Sequence, residues 1–91
     1  DRSLFVVEAA GEISRSALRG ALATVDLPPV YIHLWRDPND AATWHHLVEV
    51  EGCVRADDRR LRQLAEVKGV EIRQIWPLGG YAVPLSAAEL A

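Results

Sequence analysis

The apolar residues of this chain change their spacing several times, and the order of these changes is what most limits the possible folds. An apolar run of strand length, residues 4–7, is followed by residues 18, 21, 22 and 25 at the spacing of one helix face. Two alternating segments come next, joined by the turn sequence Asp37-Pro38-Asn39-Asp40, and then a second helical pattern and a last alternating segment. The predicted elements are a strand over 3–9, a helix over 15–25, strands over 30–36 and 43–50, a helix from 56 to about 67, and a strand over 70–76 that Pro77 interrupts.

The order β-α-β-β-α-β predicts an α+β fold of the ferredoxin-like plan, with a four-stranded antiparallel sheet and two helices on one of its faces. The chain has 91 residues, of which 49% are apolar and 25% charged, as expected for one globular domain. We expect this domain over residues 1–85 and a short C-terminal tail over 86–91. Because the chain starts at Asp1 and turns apolar almost at once, we expect it to be a fragment of a longer polypeptide.

Charge and cysteine content exclude several classes of function. The net charge of −3 lacks the clustered lysine and arginine of a nucleic-acid binder. A single cysteine, Cys53, cannot form an internal disulfide, and with three histidines it gives no metal-site spacing. No apolar run approaches the roughly 20 residues that span a bilayer. We therefore expect no metal, no cofactor, no nucleic acid and no membrane partner, and a cytoplasmic location.

Two short segments give information about function as well as about the fold. Leu47-Val48-Glu49-Val50-Glu51-Gly52 ends the third predicted strand, and Leu78-Gly79-Gly80-Tyr81 follows the last one. Together, and at this spacing, they resemble the regulatory ACT domain of prephenate dehydratases. The resemblance implies a domain that is not itself catalytic, that pairs with a second copy through its sheet, and that binds an aromatic amino acid, phenylalanine first of all, at the interface. It also implies an upstream catalytic domain, a prephenate dehydratase (a lyase) or a related chorismate-pathway enzyme of phenylalanine biosynthesis, which the bound amino acid regulates allosterically.

The same resemblance indicates where the ligand would bind. The family's glycine-led start of the first helix falls on Ser16-Ala17-Leu18-Arg19, with serine in place of the glycine. Its Glu-Ser-Arg-Pro segment falls on Leu34-Trp35-Arg36-Asp37, where only the arginine is kept. Arg36 could hold a carboxylate through its planar guanidinium. The residues predicted to bind the ligand are Ser16, Ala17, Leu18, Arg19, Trp35 and Arg36.

Other interpretations of the same residues stay open. The fold could serve as an interaction module without a ligand, since the glycine and the Glu-Ser pair are replaced. A small acylphosphatase-like hydrolase would need a catalytic Arg-Asn pair, and the chain has one asparagine, Asn39, in a turn. His45 and His46 point to opposite faces of their strand and cannot chelate one metal together. Glu49 and Glu51 share a face, which permits a carboxylate pair or a solvated sheet surface.

Overall fold

A computed structural model of the chain describes residues 1–81. Its elements follow the predicted order, with differences of one to three residues at most boundaries. The predicted tail over 86–91 lies outside the described residues. The elements are β1 (Arg2–Ala9), α1 (Arg15–Thr24), β2 (Pro29–Asp37), β3 (Asp40–Glu51), α2 (Arg59–Ala65) and β4 (Ile72–Tyr81).

The four strands form one antiparallel sheet in the order β2-β3-β1-β4. Each helix crosses over one intervening strand, because β1 and β2 flank β3 while β3 and β4 flank β1. This is the ferredoxin-like α+β layout that the periodicity predicts. No helix within residues 1–81 is long and apolar enough to cross a membrane.

The core lies between the helices and one face of the sheet. In β1 every second residue is buried, beginning with Ser3 and Phe5, while the residues between them are only half-buried. Leu18 of α1 and Leu64 of α2 are completely buried in the same cluster, so both helices cover the same face. The opposite face, which we call the open face, has no helix over it in the described part of the chain. Its side chains include Leu4, Val6, Glu8, Tyr31, His33, Trp35, His45, Leu47, Glu49 and Trp76.

Side-chain caps determine where both helices begin. The Ser14 hydroxyl accepts the Ala17 N–H at 3.1 Å, so α1 begins at Arg15 as predicted. The sequence predicts that α2 begins at residue 56, but the helix begins later, at Arg59. The Asp58 carboxylate caps the helix by accepting the Arg60 N–H at 2.9 Å. Since an N-cap residue is itself extended, the first helical residue is the next one, Arg59.

The last strand is longer than predicted. Pro77 does not end β4, because among the strands within residues 1–81 β4 lies at the sheet edge and pairs on one side only, with β1. The register shifts between Leu4 and Phe5, and Gly79 there has φ of +100°. A Cβ on Gly80 would lie 3.2 Å from the Arg2 carbonyl oxygen. The two glycines therefore bring this strand close to β1.

Candidate functional site

A cleft of about 450 Å³ opens at the end of the sheet where β1 stops and α1 begins. One wall is the loop between these two elements together with the first turn of α1. The other wall is the segment that leads from α2 into β4. The lining residues are Gly11, Glu12, Ile13, Ser14 and Ala17 on the first wall and Gly69, Val70 and Glu71 on the second.

The first wall includes the positive end of a helix. Helix α1 is ten residues long, and the N–H groups of its first turn have no carbonyl partner within the helix. Ser14 satisfies the N–H of Ala17, which itself lines the cleft. The helix dipole and the remaining N–H groups favour a negatively charged group at this position.

Two acidic residues lie in the same cleft, one on each wall. Glu12 comes from the loop before α1, and Glu71 comes just before β4. The walls also meet through the backbone, because the Glu71 carbonyl accepts the Ala10 N–H at 3.5 Å. Sequence reasoning missed both acids. Glu12 could have been found from its position two residues before the helix cap, whereas only the topology brings Glu71 next to it.

A buried histidine holds the first wall in place. The Nδ1 atom of His46 is 3.2 Å from the Val7 carbonyl oxygen, and its Nε2 atom accepts the Ile13 N–H at 3.2 Å. The ring is therefore neutral and carries its proton on Nδ1. Burial lowers the pKa of His46 from its ordinary value of 6.5, although the hydrogen bond to the Val7 carbonyl and the nearby Glu12 carboxylate act in the opposite direction.

The four predicted ligand residues of α1 fall in different environments. Ala17 lines the cleft. Ser16 and Arg19 are exposed on the helix surface. Leu18 is completely buried in the core, so its side chain packs against the sheet instead of facing solvent.

Trp35 and Arg36 lie on opposite faces of β2. Arg36 pairs with Trp44, which pairs in turn with Ala9, so Arg36 lies at the same end of the sheet as the cleft. Its guanidinium carbon is 6.0 Å from the centre of the Trp44 ring, a cation–π contact. Trp35 is on the open face and stacks on His45 with 5.3 Å between ring centres. The six predicted residues therefore do not form one cluster.

The open face contains ion pairs where the sequence permitted a pair of free carboxylates. Arg2 lies beside both acids, with its Nη1 3.0 Å from Glu49 and its Nε 3.6 Å from Glu51. His45 is 3.5 Å from the Glu8 carboxylate. Over residues 1–81, no group of three His, Cys, Asp or Glu side chains is placed to hold a metal ion.

Comparisons of the chain with protein-family models, with curated proteins and with solved structures find no match. Any functional assignment therefore depends on the site described above and on the motifs of the sequence.

Proposed function

We propose that this chain is an ACT-like regulatory domain that binds an α-amino acid in the cleft, with phenylalanine as the first candidate. Its parent protein would be a prephenate dehydratase or a related chorismate-pathway enzyme. The observation that carries this proposal is the combination, within one cleft, of a helix N-terminus and two carboxylates. An α-amino acid carries one negative and one positive group, and this cleft offers an opposite charge to each.

The chemistry of the lining supports this class of ligand. The ligand carboxylate would lie at the first turn of α1, where N–H groups and the helix dipole attract an anion. The ligand ammonium would lie near Glu12 or Glu71. Val70 and Ala17 add apolar surface for the rest of the ligand. A volume of about 450 Å³ falls within the range of roughly 300–1,000 Å³ that is usual for small-molecule sites.

Regulation would follow because ligand binding is linked to the relative position of the two cleft walls. A ligand shifts an equilibrium between two arrangements only by its difference in affinity for them. The cleft lies between two separate segments, so a ligand that contacts both walls favours the arrangement that holds them together. A catalytic domain attached to either wall would respond to that preference.

Isothermal titration with phenylalanine, tyrosine and tryptophan tests the proposal. We expect saturable binding of one of them, and strong weakening by Ala17→Leu, because a larger side chain there fills the cleft. Ala23→Leu is the matched control, since Ala23 is also exposed on α1 but is not part of the cleft lining. Absence of binding by all three amino acids, or equal effects of the two variants, would refute the proposal.

The role of Arg36 is tested separately. Arg36 is not part of the cleft lining, so its predicted contact with the ligand would be made across an interface. We expect Arg36→Ala to reduce the affinity for the amino acid. Arg55→Ala serves as its control, because Arg55 is exposed and is not part of the cleft lining. Unchanged affinity for Arg36→Ala would remove Arg36 from the site and leave the cleft assignment intact.

A second candidate function is an interaction module that binds no ligand. It is favoured by the exposed aromatic side chains of the open face, where Tyr31 is 52% exposed and Trp76 is 48% exposed. Such a module would assemble through its sheet and give no heat of binding with any amino acid. The titration above therefore separates the two functions.

A further inference from the structure

We propose that His46 is a positioning residue for the cleft. As a neutral ring it holds the wall that precedes α1, and when it gains a proton it releases that wall. That His46 holds this wall follows from its two hydrogen bonds. The consequence for ligand affinity rests on the function proposed above.

The geometry leaves no place for a second proton on the ring. Nδ1 already donates to the Val7 carbonyl, and Nε2 accepts the N–H of Ile13. A proton on Nε2 would set two N–H donors against each other at a distance of 3.2 Å. The imidazole is completely buried, so water cannot take the place of the lost acceptor without a local opening.

Ile13 is the point through which His46 acts on the cleft. It lies between Glu12 and Ser14, and all three residues line the cleft. Ser14 is also the residue that caps α1. A change in the path of the chain at Ile13 therefore displaces one cleft acid and the helix cap at the same time.

We call the arrangement in which His46 holds the loop before α1 the closed arrangement. In this arrangement the surroundings of His46 favour the neutral ring. Strands β1 and β2 place the uncharged Val7 and Leu34 across from it. Burial is the largest influence, and it lowers the pKa of the ring. The titratable groups that act on it are Glu12 on the loop, which favours the charged ring, and His45 on β3, which opposes it. On α1, the Arg15 guanidinium donates to the Ile32 carbonyl of β2.

The direction of the pH effect follows from linkage. In the closed arrangement His46 has a pKa below 6.5, and in an opened loop it regains its ordinary value. The open arrangement therefore binds more protons as the pH falls below about 6.5. The equilibrium constant for closing the loop falls by up to about tenfold per pH unit between the two pKa values, and it is at its maximum above them.

Nuclear magnetic resonance of the chain without ligand tests directly whether His46 holds the loop. We expect the imidazole nitrogens of His46 to show the proton on Nδ1 at pH 7.5. We also expect the protection of the Ile13 amide against hydrogen exchange to fall as the pH is lowered from 7 to 5. The internal control is the Val54 amide, which is also buried and held by a side chain, but by the Ser3 hydroxyl, which does not titrate in this range. A proton on Nε2, or equal loss of protection at both amides, would overturn the proposal.

Substitutions of His46 separate the proton from the hydrogen bond. In His46→Gln the amide oxygen can still accept the Ile13 N–H, so protection of Ile13 should become independent of pH. In His46→Phe the acceptor is lost, and protection should be low at every pH. His33→Gln should leave the pH dependence of Ile13 protection as it is in the unmodified chain. A pH dependence that persists in His46→Gln would refute the proposal. If His46→Phe does not fold, the Gln variant still decides.

The ligand experiment is kept apart from these measurements. With phenylalanine as the probe, affinity should fall from pH 7 to 5 in the unmodified chain and stay level in His46→Gln. If phenylalanine binds with the same pH dependence in both chains, His46 does not position the cleft. If no amino acid binds at any pH, the proposed function fails, while the exchange measurements still decide whether His46 holds the loop.

Discussion

Two glycines of this chain have opposite surroundings and should respond in opposite ways to the same substitution. Gly20 lies within α1, and a Cβ placed on it would meet nothing within 4 Å. Gly20→Ala should stabilise the chain by about 1 kcal/mol, because alanine loses less backbone entropy in a helix. A Cβ on Gly80 would meet the Arg2 carbonyl oxygen at 3.2 Å and the Ser3 hydroxyl at 3.5 Å. Gly80→Ala should therefore destabilise the chain by roughly 1–3 kcal/mol.

Urea unfolding of the two variants measures this difference. The midpoint should rise for Gly20→Ala and fall for Gly80→Ala. A neutral result for Gly80→Ala would mean that β1 and β4 can move apart at no cost, which contradicts their close approach at this position.

At the residue scale the sequence predicts which face a side chain occupies better than it predicts the partner of that side chain. The alternation in β3 places His46 with Val48 and Val50, and all three are buried on the helix side. The bond from the Ile13 N–H to His46 depends on how a loop crosses the end of the sheet, and no local pattern encodes that path. Likewise Glu71 joins Glu12 in the cleft only because β4 pairs with β1.

At the scale of single elements, α2 depends on its cap. It has only seven residues, and the Asp58 carboxylate satisfies the N–H of Arg60 and also pairs with its guanidinium at 2.8 Å. The Arg60 Nη1 atom donates in turn to the Asp26 carbonyl just beyond α1. Asp58→Ala should cost about 1 kcal/mol of unfolding free energy. Asp57→Ala, one residue earlier and 85% exposed in its side chain, should cost much less.

The pH dependence of this variant gives a second measurement. The hydrogen bond from Arg60 lowers the pKa of Asp58 from its ordinary value of 3.8. The stability that Asp58 contributes is therefore present above pH 3.8 and is lost as the pH falls through the lowered value. The difference in unfolding free energy between Asp58→Ala and the unmodified chain should shrink in that acidic range. A constant difference would show that the charge of Asp58 does not matter.

The ends of elements are where prediction from sequence is weakest here. The acids at 57 and 58 signal a helix start correctly, but they do not say which of them is the cap. That choice depends on Arg60 and on its contact with the end of α1, which is a tertiary interaction. Pro77 similarly ends a strand in isolation, whereas proline is tolerated in a strand such as β4 that lies at the edge of the described sheet.

At the scale of the whole molecule, the open face should hold two copies together. Trp76 is 48% exposed and Trp35 is 37% exposed, and half-buried Leu4, Val6 and Leu47 lie on the same face. We expect sedimentation to show a dimer, and Trp76→Glu to shift it to monomer, because burying an unpaired carboxylate is costly. Ala23→Glu, on the exposed side of α1, should leave the dimer intact. A dimer that is insensitive to Trp76→Glu would exclude this face.

The order of elements was sufficient to predict the ferredoxin-like plan, because few arrangements of two helices and four strands avoid crossed connections. It was not sufficient to predict the cleft. Of the six residues predicted from the family motifs, Ala17 lies in the cleft, and Trp35 lies on the opposite face of the sheet. Motif positions indicate an element and a register, but the shape of a cleft depends on two loops that are 57 residues apart, counted from Ile13 to Val70.

The two edges of the sheet differ in a way that limits how copies of the chain can join by strand pairing. Among the strands within residues 1–81, β4 carries Pro77 and two register shifts on its pairing with β1, and such an edge accepts a further strand poorly. Strand β2 at the other edge is regular from Tyr31 to Arg36. Two copies joined along β2 would each use their one receptive edge, related by a twofold axis. Growth by pairing of the strands within residues 1–81 would then stop at two, and pairing along β2 would not extend into an open-ended fibre.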